Sequence, residues 1–574
     1  MCTKTEKMAH VVESRMRNAM SSEMKYFSAT TDMWSGATRE AFISLTIHYL
    51  TEEFIQRNFT LEVSLVRGRH TGQNIQNILM ETFMKWGLFT EKLTVMARDN
   101  GSNIVAACNM WGIHHIGCIG HSLHLVVNPF LQKKKEEEDS NGEENDDNYD
   151  IGVDNDVVSF NDDESEDLLS DIDFVCNVWK TVSDIRKIAV YIKNSTMAKE
   201  KLQLFEAAAR TGRSDVATND ANSPLLTLVL DVATRWNSAY DMLTKMRRHK
   251  DSITSFLNFL KTATGKSEFG RKKLPTLSEM QWASMEGLCV LLKPFYELTK
   301  VLSGEKYSTL VVAFPLLRMV KSILSNRNMF IGDSDNVHMK KQINVFREKY
   351  EGEDFYQQTV QNLDACREVL LQSFTSRFRG LSYDIMWIGY LDPRQKDMLH
   401  LKDDKRTQAR QYFIQQVLNL IKDSKQPEVL RLSEGSDSDS ENDLDMMSMF
   451  ASSKRQKVSH VQHDERDIEN EALRCAENEV QSYLLASNGV GRKTDIFAWW
   501  NKSKASFPNV AALARKWLSC PATSVASERV FSSCGLVQTS KRSRLLGKNI
   551  RNQVMIQKNL SSLNISMADV VAEW

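Results

Sequence analysis

The chain has 574 residues, 42% of them hydrophobic, and its 73 basic and 74 acidic side chains give a formal net charge of −1. That length carries more than one domain with ample core, and the near-neutral balance excludes a chain-wide nucleic-acid signature, so any such surface must be local. No signal peptide and no apolar run of membrane-spanning length is read, and nine scattered cysteines without a CxxC pair point to a reducing compartment, cytosol or nucleus, rather than a disulfide framework.

Residues 1–25 read as a helical lead-in, with Met8, Val11, Val12 and Met16 at helical spacing. Tyr26–Asp32 is a short β-prone run ending on an acid, and Met33–Gly36 is expected to turn. Ala41–Leu50 alternates apolar and polar side chains and is a strand, and Asn58–Val66 is another. The short Thr51–Arg57 segment between them predicts an antiparallel hairpin. Thr71–Trp86 is an amphipathic helix with Ile75, Ile78, Leu79 and Phe83 on one stripe. Leu93–Ala97 is a fourth strand running into Arg98-Asp99-Asn100-Gly101. A helix begins at Ser102, Ile113–Ile119 is a fifth strand, and Ser122–Leu131 is helical. The order βββαβαβα predicts a mixed sheet with helices on its faces.

Lys133–Asp173 turns acidic and polar and reads as a disordered loop. From 174 to about 425 the pattern is almost wholly helical, with segments at Phe174–Ile192, Leu225–Arg247, Ile253–Lys261, Ser278–Lys293, Leu310–Ser325 and Phe355–Arg377. Residues 426–465 form a second acidic, serine-rich linker. Its Ser433–Asp445 stretch suits phosphorylation, and Lys454-Arg455-Gln456-Lys457 resembles an import signal. Residues 466–574 return to helix. The density of Trp499, Trp500, Phe507 and Trp517 is expected to mark a buried subunit interface. In Pro521–Ser532, Thr523 or Ser524 can cap a helix that carries Glu528 in its first turns.

Six motifs then stand in order: Thr30-Thr31-Asp32-Met33-Trp34-Ser35, Ala97–Asn103, Cys118-Ile119-Gly120-His121, Thr234-Arg235-Trp236-Asn237-Ser238, Leu391-Asp392-Pro393-Arg394 and Ala522–Ser532. Together they resemble the hAT-superfamily DNA transposases and the BED-type zinc-finger proteins derived from them. The resemblance implies a ribonuclease-H-like domain (26–132) interrupted by an all-α insertion (174–425) and completed by a C-terminal dimerisation region (466–574). In that arrangement the first and fourth strands are neighbours, so Asp32 and Asp99 would meet at one sheet edge.

The resemblance further implies a D-D-E triad of Asp32, Asp99 and Glu528 that binds Mg²⁺. Hard carboxylate oxygens suit such an ion, and a metal pair there can activate a hydroxyl and stabilise a leaving oxygen. Trp236 would stack on a flipped base, and Arg235, Lys541, Arg542 and Arg544 would contact phosphate. Cys118 and His121 would lie beside the active site. Cys118, His121 and His124 lack a fourth ligand at usual spacing, so no structural zinc is expected. The BED finger of the family is missing from this sequence. The expected protein is nuclear and self-associating, with DNA as partner and with neither a membrane nor a small-molecule substrate. It acts as a DNA-associated regulator or, as the competing reading, as a working transposase.

Overall fold

The computed structural model describes residues 2–35, 40–131, 173–211, 236–270, 273–331, 337–379, 383–425, 465–537 and 547–572. The acidic stretches, Arg235, Lys541, Arg542 and Arg544 lie outside the described residues. So do the serine-rich stretch Ser433–Asp445 and the basic cluster Lys454–Lys457. The protein is mostly helical with one small mixed sheet, and no described helix is long and apolar enough to cross a membrane.

The sheet holds five strands in the order β3-β2-β1-β4-β5: β1 Phe27–Ser35, β2 Ala41–Leu50, β3 Gln56–Leu65, β4 Leu93–Arg98 and β5 His115–Gly117. The β2–β3 hairpin is antiparallel, while β1–β4 and β4–β5 are parallel. One expectation is corrected here. Met33–Ser35 do not turn but continue β1, because Trp34 pairs with Phe42 and Ser35 with Ala41 along β2. Asp32 therefore sits inside a strand, one residue beyond the last β1–β4 pair, Thr31 with Arg98.

Around the sheet, helix α1 spans Cys2–Glu23, α2 Gly72–Trp86, α3 Ser102–Trp111 and α4 Ile119–Leu131. Thr71 caps α2 by accepting from the Asn74 amide at 3.3 Å, and Gly87 ends it at φ +65°, where a side chain would be strained. Nine helices follow among the described residues: α5 Asp173–Asn194, α6 Thr196–Thr211, α7 Trp236–Arg248, α8 Lys250–Lys261, α9 Ala263–Phe269, α10 Glu279–Leu302, α11 Thr309–Leu324, α12 Val337–Tyr350 and α13 Tyr356–Arg377. These, with the sheet and the C-terminal helices α18 Val525–Val537, α19 Gly547–Asn559 and α20 Met567–Ala572, form one compact unit (Met1–Thr51, Gln56–Leu381, Leu518–Trp574).

The other unit (Glu52–Ile55, Ser382–Trp517) contains α14 Asp403–Lys425, α15 Glu465–Ala486, α16 Ile496–Ser503 and α17 Pro508–Trp517. Its core is aromatic: Tyr483 stacks on Trp500 at 5.1 Å, and Trp387 meets Trp517 edge-on at 5.6 Å. The Leu391–Arg394 motif is a structural corner of this unit. Buried Asp392 caps a short 3₁₀ turn and pairs with the Arg394 guanidinium at 2.8 Å.

The sheet has two different buried faces. Phe27, Ala29, Ile43, Leu45, Ile47, Tyr49 and Phe59 pack against α1, α2 and α3 in the largest apolar cluster. The alternate residues Ser28, Thr30, Thr46, His48 and Thr60 are buried as well, yet polar.

Edge strand β3 is covered by α19. The Asn559 carboxamide accepts from the Thr60 amide and donates to the Thr60 carbonyl, each at 2.9 Å, in place of a further strand. Arg551 of the same helix ties Glu13 of α1 to buried Glu62 of β3.

Candidate functional site

Parallel pairing of β1 with β4 sets the geometry. Their register places Asp32 just past the end of β4 and Asp99 immediately after Arg98, so both carboxylates stand at the same edge of the sheet. Asp32 Oδ1 accepts from the Met33 amide at 2.8 Å, and Asp99 Oδ1 accepts from the Gly101 amide at 3.0 Å. The second oxygen of each makes no hydrogen bond among the described residues. At Gly101 a Cβ would lie 3.2 Å from the Asp99 carboxylate, so glycine keeps that turn open.

Glu528 reaches the edge because the segment before α18 is fastened to three elements. The Ala522 amide donates to Thr309 Oγ1 at 2.9 Å, Thr523 Oγ1 donates to the Leu302 carbonyl at 3.3 Å, and the Ser524 amide donates to Cys118 Sγ at 3.2 Å. The Ala522 carbonyl in turn accepts from the Ile119 amide at 3.1 Å. Farther along α18, Ser527 Oγ donates to Thr30 Oγ1 at 3.4 Å and Phe531 stacks on Trp34 at 5.8 Å. These contacts hold the helix on the polar face of the sheet.

Asp32 feels both of the other acids. Asp32 is pushed well above the usual carboxylate range, first by burial, then by the negative charges of Asp99 and Glu528. Among the described residues, no group of three His, Cys, Asp or Glu side chains stands close enough, as placed, to hold a metal ion. Asp32 is thus within electrostatic reach of Asp99 and Glu528, but the three do not form a coordination shell. The donor set still matches a hard dication. It consists of carboxylates, it carries mutual repulsion that a cation would relieve, and Asp32 and Asp99 each keep an oxygen in hand.

Of Cys118 and His121, Cys118 is within electrostatic reach of Glu528. Cys118 is fully buried, and its sulfur accepts from the Ser524 and His121 amides. Burial pushes its thiol up to about 11, so it acts as a neutral anchor for the α18 segment rather than as a thiolate ligand. The His121 and His124 rings stand 6.3 Å apart, and burial holds His124 down at about 4.

Two other groups fall elsewhere. Trp236 is only 3% exposed and packs edge-on against Tyr240 and Tyr296 at 6.4 Å, so it offers no free face for base stacking as placed. Trp500, Phe507 and Trp517 are buried within their own unit, and Trp499 is half-buried against Tyr483 and Trp500. Packing within one chain therefore accounts for most of the aromatic density that the sequence assigned to a subunit interface.

Supporting residues that motif reading passed over are Arg98, Asn100 and Gly117. The buried Arg98 guanidinium donates to the Asp99 carbonyl at 2.8 Å and to Asn100 Oδ1 at 3.3 Å, bracing the turn that carries Asp99. A Cβ at Gly117 would sit 2.3 Å from Asn100 Oδ1. On the polar face, Ser527, Thr30, His48 and Asn58 form a hydrogen-bonded chain from α18 to β3, ending in the 2.8 Å contact of His48 Nδ1 with Asn58 Oδ1. Its one sequence signal was the repeated alternation Ser28-x-Thr30-x-Asp32 and Ser44-x-Thr46-x-His48.

Residues 30–114 match the ZBED1 RNase-like domain, residues 116–291 the ZBED1 RNase-like helical domain, and residues 479–560 the hAT family C-terminal dimerisation region. The chain belongs to the hAT-superfamily transposase-derived proteins. It is 23% identical to a Zea mays protein described as "Putative AC transposase", over 90% of this chain and 55% of that protein. It is 21% identical to "Putative transcriptional regulator tpeD" of Talaromyces stipitatus, over 99% and 58%. With human "Zinc finger BED domain-containing protein 4" the identity is 22% over 97% and 39%. The chain thus spans about half the length of the curated relatives it matches.

Proposed function

We propose that this chain is a nuclear, self-associating, DNA-associated regulator of transposase descent, built on a ribonuclease-H-like domain (26–132) with an all-α insertion (174–425) and a C-terminal dimerisation region (466–574). The observation that carries the reading is the dimerisation-region match over residues 479–560, in a chain whose relatives include one described as a transcriptional regulator. The basic run Lys541-Arg542-Ser543-Arg544 and Arg235 supply phosphate contacts in this reading. Trp236 is left as a core residue.

A second reading is favoured by the facing carboxylates: a transposase that cuts and joins DNA strands with Mg²⁺. Asp32, Asp99 and Glu528 would hold the metal. When bound, it would supply activation of the attacking hydroxyl and stabilisation of the leaving oxygen. The chain's own part is to hold the acids at the sheet edge. Cys118 and Thr309 anchor the segment that presents Glu528, and Arg98 braces the Asp99 turn.

One experiment separates the two. Strand cleavage or joining on terminal-repeat DNA with Mg²⁺, lost in Glu528→Ala, establishes the enzyme. Salt-dependent DNA binding that survives Glu528→Ala without any cleavage establishes the regulator. Sedimentation that shows a monomer at all concentrations removes self-association from both.

A further inference from the structure

A cavity of about 300 Å³ opens on the polar face of the sheet, enclosed by β2, β3, the α10–α11 connection, α18 and the C-terminal end of α19. None of the three acids lines it. Its floor is His48, Asn58 and Thr60. His48 is fixed at both ring nitrogens, by Thr30 and by Asn58, and burial holds it neutral with a pKa of about 4. Two cations line the walls. Arg529 pairs with Glu305 and donates to the Ser303 carbonyl at 2.6 Å. Lys558 is half-buried and makes no hydrogen bond or ion pair among the described residues. Burial lowers its pKa first; the charge of Glu305 opposes that, and repulsion from Arg529 adds to it. With one carboxylate against two cations, the lining carries a surplus positive charge.

We propose that this cavity binds a phosphorylated nucleoside, with Lys558 holding the phosphate. The volume lies at the lower end of small-ligand sites and exceeds what a bare phosphate fills. An unpaired, half-buried ammonium has a strong drive to acquire an anion. Ser561, Ser562 and Thr46 supply hydroxyls suited to a sugar. At the rim, Tyr307 is 38% exposed and its hydroxyl is tied to the Val301 carbonyl at 2.6 Å, so its ring is held ready to stack on a base. The ligand is either a free mononucleotide or the 5′-phosphorylated end of a strand. The inference does not depend on the acid cluster.

The test is titration of the full chain, without divalent metal, with adenosine monophosphate, inorganic phosphate, and one oligonucleotide with and without a 5′-phosphate. The mononucleotide should bind more tightly than phosphate. Lys558→Met should weaken it by about tenfold, the loss expected for one charge-assisted hydrogen bond. Glu305→Gln should tighten binding, because it removes the opposing charge; this second, exposed variant decides the matter if Lys558→Met does not fold. Binding of the 5′-phosphorylated oligonucleotide alone supports the site and assigns it to strand ends. Three results overturn it: phosphate binding as tightly as the nucleotide, no ligand binding at concentrations on the order of 1 mM, or Lys558→Met and Glu305→Gln both binding like the unaltered chain. Asp32→Asn should bind the nucleotide unchanged, so failure here leaves the metal-site reading standing.

Discussion

The two faces of the sheet are buried alike and built by opposite rules. One is an apolar jigsaw of Phe27, Ile43, Leu45, Ile47 and Phe59 closed by helices. The other buries hydroxyls and an imidazole, linked from Ser527 through Thr30 and His48 to the Asn58 carboxamide under α18. An apolar face stabilises through contact area and tolerates no polar group. A buried polar face contributes little net stability but penalises each unmade bond, so it specifies position. The acids and the open cavity both lie with the second face.

The contrast can be broken from either side. On the apolar face, Ile47→Ala should cost about 3–4 kcal/mol in denaturant unfolding of this unit, because Ile47 is fully buried. A cost below about 1 kcal/mol would mean that this face is not a close-packed core.

At the edge, Asn559→Leu should cost about 2–3 kcal/mol, since it strips partners from the buried Thr60 amide and carbonyl. Amide exchange at Thr60 should quicken in step.

His48 links the polar face to acid. Its folded pKa of about 4 lies below the ordinary 6.5, so the unfolded chain takes the proton first. The stability that neutral His48 permits is intact above about 6.5 and is lost as pH falls toward 4, at about 1.4 kcal/mol per pH unit. His48→Gln should flatten that slope. An unchanged slope would place the acid sensitivity elsewhere.

Asp32 has the opposite sign. Its raised pKa means that the folded chain keeps the proton longer, so stability declines as pH climbs through the interval between the unfolded and folded values. Asp32→Asn should therefore stabilise the metal-free protein near pH 7, seen as a rise in melting temperature. Mg²⁺ should raise the melting temperature of the unaltered chain but not of this variant.

Much of this could be read before any coordinates. The strands at Ala41–Leu50 and Leu93–Ala97 and the helix at Thr71–Trp86 followed from local periodicity and composition. The extent of β1 did not. Met33-Trp34-Ser35 looks like a turn in isolation and is held extended only by pairing with β2 and by Phe531 stacking on Trp34. In the aromatic-rich C-terminal stretch, composition marks burial without saying which partner does the burying. In Trp500 and Trp517 the partners are Tyr483 and Trp387 of the same chain.

By itself the sequence determined which segments become strands and helices, and which acids stand next to turns, because those properties depend on neighbours a few residues away. Only the tertiary structure decided that the charge of Glu528 reaches Asp32 from the far end of the chain, that Cys118 is an anchor, and that Trp236 is core. Each of these depends on parallel strand register and on backbone contacts between distant segments, and no local pattern encodes either.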